Sequence, residues 1–247
     1  MKERGRTVMK LDADLHCHTL ASTHAYSTLL EMTQYAKAAG LSMIAITDHA
    51  PALPDAPHPW HFLNERLWPR TINGVTVLKG AEVNVMDYDG NIDLEERITA
   101  GLEWIVASFH KDCIAPAEPG LHDRAWLGIA ENPAVDVIGH CGQPQYEFHY
   151  EDVLAVFKEK GKIVEVNENS LIVRKGSAEN CRSIAQICKK LELPIVVDTD
   201  AHICFQVGRA PKSLAMLEEI GFPERLILNL DAKRICRYLL DKRGIII

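Results

Sequence analysis

The chain has 247 residues, of which 47% are apolar and 25% charged, and a formal net charge of −7. That apolar content suffices for a sizeable core, and the acidic balance argues against a general nucleic-acid surface. No apolar run reaches the roughly eighteen residues of a membrane span, and the start, Met-Lys-Glu-Arg-Gly-Arg-Thr, lacks the apolar core of a signal peptide, so a soluble cytoplasmic protein is expected. The seven cysteines are odd in number and include no Cys-x-x-Cys pair, which argues against a disulfide framework or zinc knuckle.

Taken in order, short apolar runs alternate with helical patterns. The spacing predicts a first strand over Ala13–His18, a helix over Thr28–Ala39 stopped by Gly40, and a fully apolar strand over Ser42–Thr47. Residues 50–59 hold four prolines and predict a loop. A short helix is expected near Trp60–Trp68, a strand over Val75–Val83 and a turn or small hairpin over Asn84–Asp93. Further strands are expected at Trp104–Phe109, Val135–Gly139, Lys162–Asn167 and Leu193–Asp198. Helices are expected near 122–132, at Ser177–Leu191 and at Asp231–Asp241, with a last strand-like run at Arg225–Asn229. No repeat or linker interrupts the pattern, so one domain over residues 1–247 is expected.

The polar residues at the strand ends carry the chemistry. His16 and His18 stand two apart, on one face of a strand end, with His24 on the loop that follows. His49, Glu82, His110, His140, Asp200 and His202 also lie at or just past a strand's C-terminal end. In a β/α barrel those ends converge on one mouth, where active sites sit. We therefore expect an α/β fold, an irregular barrel of about seven strands, rather than an open sheet that would spread these residues along an edge. Seven imidazoles and two carboxylates exceed the needs of one ion. They make enough bonds for about three divalent ions with open positions, and suit zinc, manganese or iron.

The motifs Asp-Leu-His-Cys-His-Thr (14–19), Ile-Thr-Asp-His (46–49), Gly-Ala-Glu (80–82), Phe-His (109–110), Gly-His (139–140) and Asp-Thr-Asp-Ala-His (198–202) resemble those of the PHP (polymerase and histidinol phosphatase) superfamily, in its order. The stretches at 21–27, 56–62, 68–70 and 174–180 look like its YcdX-type phosphatases. The resemblance implies a distorted (β/α)7 barrel with a trinuclear metal site. His16, His18, Glu82 and Asp200 would hold one ion. Glu82 would bridge to a second held by His110 and His140, and His24, His49 and His202 would hold the third. Glu82, Asp200 and His202 are also assigned to the catalytic step. Two departures stand out: Cys141 follows His140 where relatives often have proline, and Ala50 follows His49 where glycine is common.

Three divalent ions and two carboxylates would leave the site at about +4, suited to a compact anion such as phosphate. The expected activity is hydrolysis of a small phosphomonoester by metal-activated hydroxide. Asp14 and Asp48 are expected to orient ligand imidazoles. Arg174, Lys175, His61 and Arg70 are expected to contact substrate or line its entrance. His122 is assigned to a helix and His149 to the surface. The expected partner is a small phosphorylated metabolite, with no membrane or nucleic acid; a homo-oligomer is compatible with the sequence. The alternatives are a phosphodiesterase or exonuclease, and a metal-binding protein without catalysis.

Overall fold

The computed structural model describes residues 9–247. The strands are β1 (Ala13–Asp14), β2 (Met43–Ile46), β3 (Thr71–Ile72), β4 (Val75–Asn84), β5 (Trp104–Ser108), β6 (Val137–Ile138), β7 (Ile163–Asn167) and β8 (Ile195–Asp198). The helices are α1 (Leu29–Ala39), α2 (Trp60–Asn64), α3 (Glu96–Thr99), α4 (Pro119–Glu131), α5 (Tyr150–Lys160), α6 (Glu168–Ile172), α7 (Ser177–Leu191), α8 (Pro211–Glu219) and α9 (Ala232–Arg243). Seven strands pair in parallel in the order β1-β2-β4-β5-β6-β7-β8, and β3 adds an antiparallel hairpin arm to β4. Strands β2, β5 and β7 are buried along their whole length, as strands covered on both faces must be.

The local sequence explains the element ends. Thr28 caps α1 in a reciprocal box with Glu31, and Gly40 ends it in the left-handed conformation. Pro119 opens α4, where its missing N–H is not needed. Helices α5 and α8, and the short α3 and α6, lie where the sequence reading places no helix.

The barrel closes without a ladder between β8 and β1. Leu15 donates its N–H to Asp198 Oδ1 (2.8 Å), and Thr199 donates its N–H and hydroxyl to Asp14. Nearer the mouth, His18 N–H donates to the Ala201 carbonyl (2.9 Å). At the other end Asn229 works as a molecular spacer. Its amide donates to the Ala13 and Val197 carbonyls, and its Oδ1 accepts from Val197 N–H. This corrects the expected strand at Arg225–Asn229. The segment is two 3₁₀ turns with a single bridge, Ile195 to Ile227, because one carboxamide supplies the bonds a strand would have made.

Met43, Ala45, Leu78, Trp104, Val106, Val137, Ile163 and Val196 fill one core cluster, with Ile235 and Leu239 of α9. On β2, β4, β5 and β7 these residues share the strand face of His49, Glu82, His110 and Glu165, so the cluster is the barrel interior beneath the mouth. Helix α9 plugs the opposite end. Tyr238 and Arg243 reach Asp136 ahead of β6, and Lys242 reaches the Lys160 and Gly161 carbonyls ahead of β7. The helices pack outside against a second, larger cluster.

Candidate metal centre

All nine residues expected as ligands meet at the C-terminal mouth of the barrel. The rings of His18 and His49 stand 4.3 Å apart, as do those of His18 and His202. His24 lies 4.5 Å from His202 and 5.1 Å from His49. On the other side His140 Nε2 meets Glu82 Oε1 at 2.8 Å, and His110 Nε2 stands 3.4 Å from the same oxygen. Glu82 is central and wholly buried, within reach of His16, His18, His49, His110 and His140.

Several buried atoms at this mouth have no hydrogen-bond partner: His16 Nε2, both ring nitrogens of His18, His49 Nδ1 and Glu82 Oε2. His49 Nδ1 and Glu82 Oε2 stand 2.7 Å apart without the alignment of a hydrogen bond. Leaving such atoms unmatched costs about 1–3 kcal/mol each. His16 Nε2 and His18 Nε2 lie 3.2–3.8 Å from oxygens of Glu82 and Asp200. That is the spacing of neighbouring ligands around one ion with bonds of about 2 Å. Three overlapping triads offer such atoms: His16/His18/Asp200, His18/His49/His202 and His49/Glu82/His110. The donor set therefore fits divalent cations of the imidazole–carboxylate type.

The electrostatics couple the carboxylates to the imidazoles: burial would lower His16 and His49, but Glu165 and Glu82 beside the first and Glu82 beside the second raise both. Burial alone would raise the Glu82 carboxyl, but His110, His16 and His49 outweigh it and hold Glu82 well below the usual carboxylate range. Burial is likewise outweighed at Asp200, by His16, His18 and Arg174. His18 is pushed down to about 3 by burial and by the adjacent His49 and His202, so its ring is a neutral lone-pair donor at neutral pH.

The backbone is also specialised. His140 and Asp200 both adopt left-handed φ, 31° and 55°, a conformation other side chains rarely take. Glu165 supports His140 by accepting its N–H (2.9 Å), and Asn169 donates to the Asp200 carbonyl (2.9 Å).

The groups that orient the imidazoles differ from those expected. Asp14 touches no imidazole; its carboxylate accepts from Thr199 and Gly208 and is used in closing the barrel. Asp48 accepts from Thr19 and Ser22, folding the 19–24 loop over the mouth, and its nearest imidazole is His61 at 3.3 Å. The orienting acceptors are Glu165 on His16 Nδ1 (2.6 Å), Asp55 on His24 Nδ1, Asn84 on His110 Nδ1 (2.6 Å) and the Asp200 carbonyl on His202 Nδ1 (2.8 Å). Each fixes Nδ1 as the N–H and leaves Nε2 free. A glutamate within the otherwise apolar run 163–166 was the available signal for Glu165.

The mouth opens into a cavity of about 780 Å³, walled by the candidate ligands other than His16 and His18, together with Leu53, Lys111, Gln145, Val173 and Arg174. Arg174 lies 3.4 Å from Asp200 Oδ2 and is propped by the Ser170 hydroxyl (2.9 Å). Lys175, the next residue, is exposed and off the cavity wall. His61 turns inward to Asp48 and Glu65. Arg70 is not at the entrance: it forks onto Glu103 at the foot of β5. Cys141 is buried, burial raises its thiol well above the ordinary range, and it stands in none of the ligand triads. His122 is buried on α4, bonded to Ala117 N–H and the Glu147 carbonyl, and His149 is an exposed partner of Asp123.

The fold and its histidine-rich mouth define a barrel hydrolase class, and comparison makes it specific. The PHP domain family model matches residues 14–169. A probable phosphatase of Clostridium novyi is 43% identical over 235 residues, 95% of this chain and 96% of the relative. One from Caldanaerobacter subterraneus is 43% identical over 242 residues, 97% and 95% of the two chains. The chain belongs to the PHP domain family, in its branch of phosphatases. Among solved structures, the histidinol phosphate phosphatase of Lactococcus lactis, complexed with zinc, L-histidinol and phosphate, superposes with a TM-score of 0.59. It is 16% identical, over 87% of this chain and 95% of that one. At that identity the match speaks for the barrel fold.

Proposed function

We propose that this chain is a metal-dependent phosphatase that hydrolyses a small phosphomonoester, with three divalent ions held at the barrel mouth. The observation that carries the reading is the set of buried, unmatched atoms on His16, His18, His49 and Glu82. We assign His16, His18, Glu82 and Asp200 to one ion, Glu82, His110 and His140 to a second, and His24, His49 and His202 to the third. Zinc suits the imidazole-rich set best, with manganese and iron as alternatives.

Bound ions would supply Lewis acidity and a water acidic enough to react near neutral pH. The chain's own residues do the rest. Glu165, Asp55 and Asn84 hold the imidazoles in the ligating tautomer. Arg174, braced on Ser170 at the cavity wall, takes a terminal phosphate oxygen. Leu53 and Val173 accommodate the alcohol part. Counting Glu165 and Asp55, the loaded site carries about +2 before Arg174, still suited to a monoester dianion. The seven free cysteines suit a reducing, cytoplasmic setting, and no helix of the described residues is long and apolar enough to cross a membrane.

The test is turnover of p-nitrophenyl phosphate against bis-p-nitrophenyl phosphate, with and without chelator, alongside elemental analysis. Faster monoester turnover that chelation abolishes, with about three ions per chain, is expected. Diester turnover at an equal or higher rate would favour a phosphodiesterase instead. One ion or none in an active preparation would overturn the three-ion site.

A further inference from the structure

We infer that Asp93, which touches no candidate ligand, is a positioning residue that sets the tautomer of His110 and anchors the loop beside His24. Its Oδ1 accepts the Asn84 N–H (2.8 Å). Its Oδ2 accepts both the Asn84 side-chain amide (2.6 Å) and the Ala52 N–H (2.8 Å).

The first limb runs through Asn84, which is wholly buried at the end of β4. Its Nδ2 faces Asp93 Oδ2 and the Ala50 carbonyl (3.0 Å). Both of these only accept, so the amide can sit one way round, with Oδ1 toward His110. His110 Nδ1, at 2.6 Å, must then carry an N–H, which leaves Nε2 as the ring nitrogen turned toward Glu82. His16 and His24 rest directly on carboxylates, Glu165 and Asp55. His110 instead meets a neutral amide with a carboxylate behind it. The second limb is the Ala52 N–H. It ties the proline-rich 50–59 loop, which carries Asp55 against His24, to the same carboxylate.

Asp93→Leu, similar in volume, removes both acceptor oxygens and should break both limbs; an asparagine would not serve, because its one carbonyl oxygen could take the place of Oδ2 and keep them. In metal-free protein, long-range ¹H–¹⁵N NMR should show His110 shifting toward the opposite ring tautomer, and the Ala52 amide should exchange faster. Competition with a chelator should show the ion at Glu82, His110 and His140 held about 10–100-fold more weakly. The exchange variant Asn84→Asp/Asp93→Asn restores an acceptor for His110 and a donor behind it, but leaves Ala52 without an acceptor and the Ala50 carbonyl without its donor. It should recover the His110 tautomer while Ala52 exchange stays fast. Only the metal arm rests on His110 being a ligand. The tautomer, read without metal, stands apart from that reading, and wild-type protein that binds no ion at the mouth would sink the reading alone. Wild-type His110 tautomer in Asp93→Leu would overturn the inference, as would an exchange variant that fails to recover it. If Asp93→Leu does not fold, the exchange variant decides by the same two signals.

Discussion

The two ends of this barrel treat buried charge in opposite ways. At the foot, the buried charged groups Asp136, Lys162 and Glu103 each find protein partners. Asp136 takes Ile105 N–H, Tyr238 and Arg243, Lys162 donates to the Asn132 and Val135 carbonyls, and Glu103 takes Arg70 and Lys79 N–H. At the mouth, a buried carboxylate and three imidazoles leave atoms unmatched, in a backbone strained at His140 and Asp200. An end whose charges are matched by the chain can hold the fold by itself. An unsatisfied end needs something the chain does not supply, and that contrast separates scaffold from site.

Metal removal should break the comparison most sharply. Chelation is expected to abolish turnover, and added zinc or manganese to restore it, while circular dichroism shows the barrel still folded. Unfolding on chelation would mean that the mouth, not the foot, holds the structure. The converse experiment is Asn229→Ala. It strips Val197 N–H and the Val197 and Ala13 carbonyls of a partner at the barrel seam. Denaturant unfolding should show a loss of about 3 kcal/mol, from unmatched groups of about 1–3 kcal/mol each, with metal content per folded molecule unchanged. A loss below ~1 kcal/mol would show that water or the ladder replaces the spacer.

This asymmetry also explains what could be read from the sequence. The strand runs were legible because parallel strands buried on both faces are continuously apolar, and the ligands because they cluster just past those runs. Helices α5 and α8 were missed: α5 (Tyr-Glu-Asp-Val-Leu-Ala-Val-Phe-Lys-Glu-Lys) buries only Val153, Leu154 and Phe157, and α8 is short. The seam was illegible for another reason. Arg225–Asn229 reads as a strand, and only the three-dimensional gap between β1 and β8 shows that one asparagine amide fills it. The same holds for the orienting residues: Asp14 and Asp48 adjoin ligands in sequence yet serve the seam and a loop, whereas Glu165, far in sequence, reaches both His16 and His140.

Within the mouth, smaller changes should sharpen the contrast. Glu165→Gln keeps the shape but weakens the acceptor behind His16, and should lower metal affinity or turnover by about 10–100-fold with the fold intact. Asp200→Ala and His202→Ala should separate: by the assignment above, the first strikes the unit bridged by Glu82 and the second the third ion alone. Metal counting and thermal unfolding on each variant check this. Unchanged turnover at matched occupancy, or global unfolding of His202→Ala, would overturn the roles.

The smallest expected effect lies at the foot, in the one cation there that burial penalises strongly. Lys162 is pushed down to about 8 by burial and by Lys242 and Arg243, from an ordinary value near 10.5. Below pH 8 the folded and unfolded chains both hold the proton, and the full cost of burying the charge is present. Between about pH 8 and 10.5 the unfolded chain still holds a proton that the folded chain has released. The unfolded state then binds more protons, so stability should rise with pH across that window. The slope for one group is at most about 1.4 kcal/mol per pH unit. Lys162→Met has no such proton, so the difference in unfolding free energy between wild type and variant isolates it from other titrations. From pH 8 to 9 that difference should move in favour of wild type by about 1 kcal/mol. A flat difference would mean that the two carbonyls keep Lys162 charged as readily as water does, and that the foot carries no electrostatic penalty.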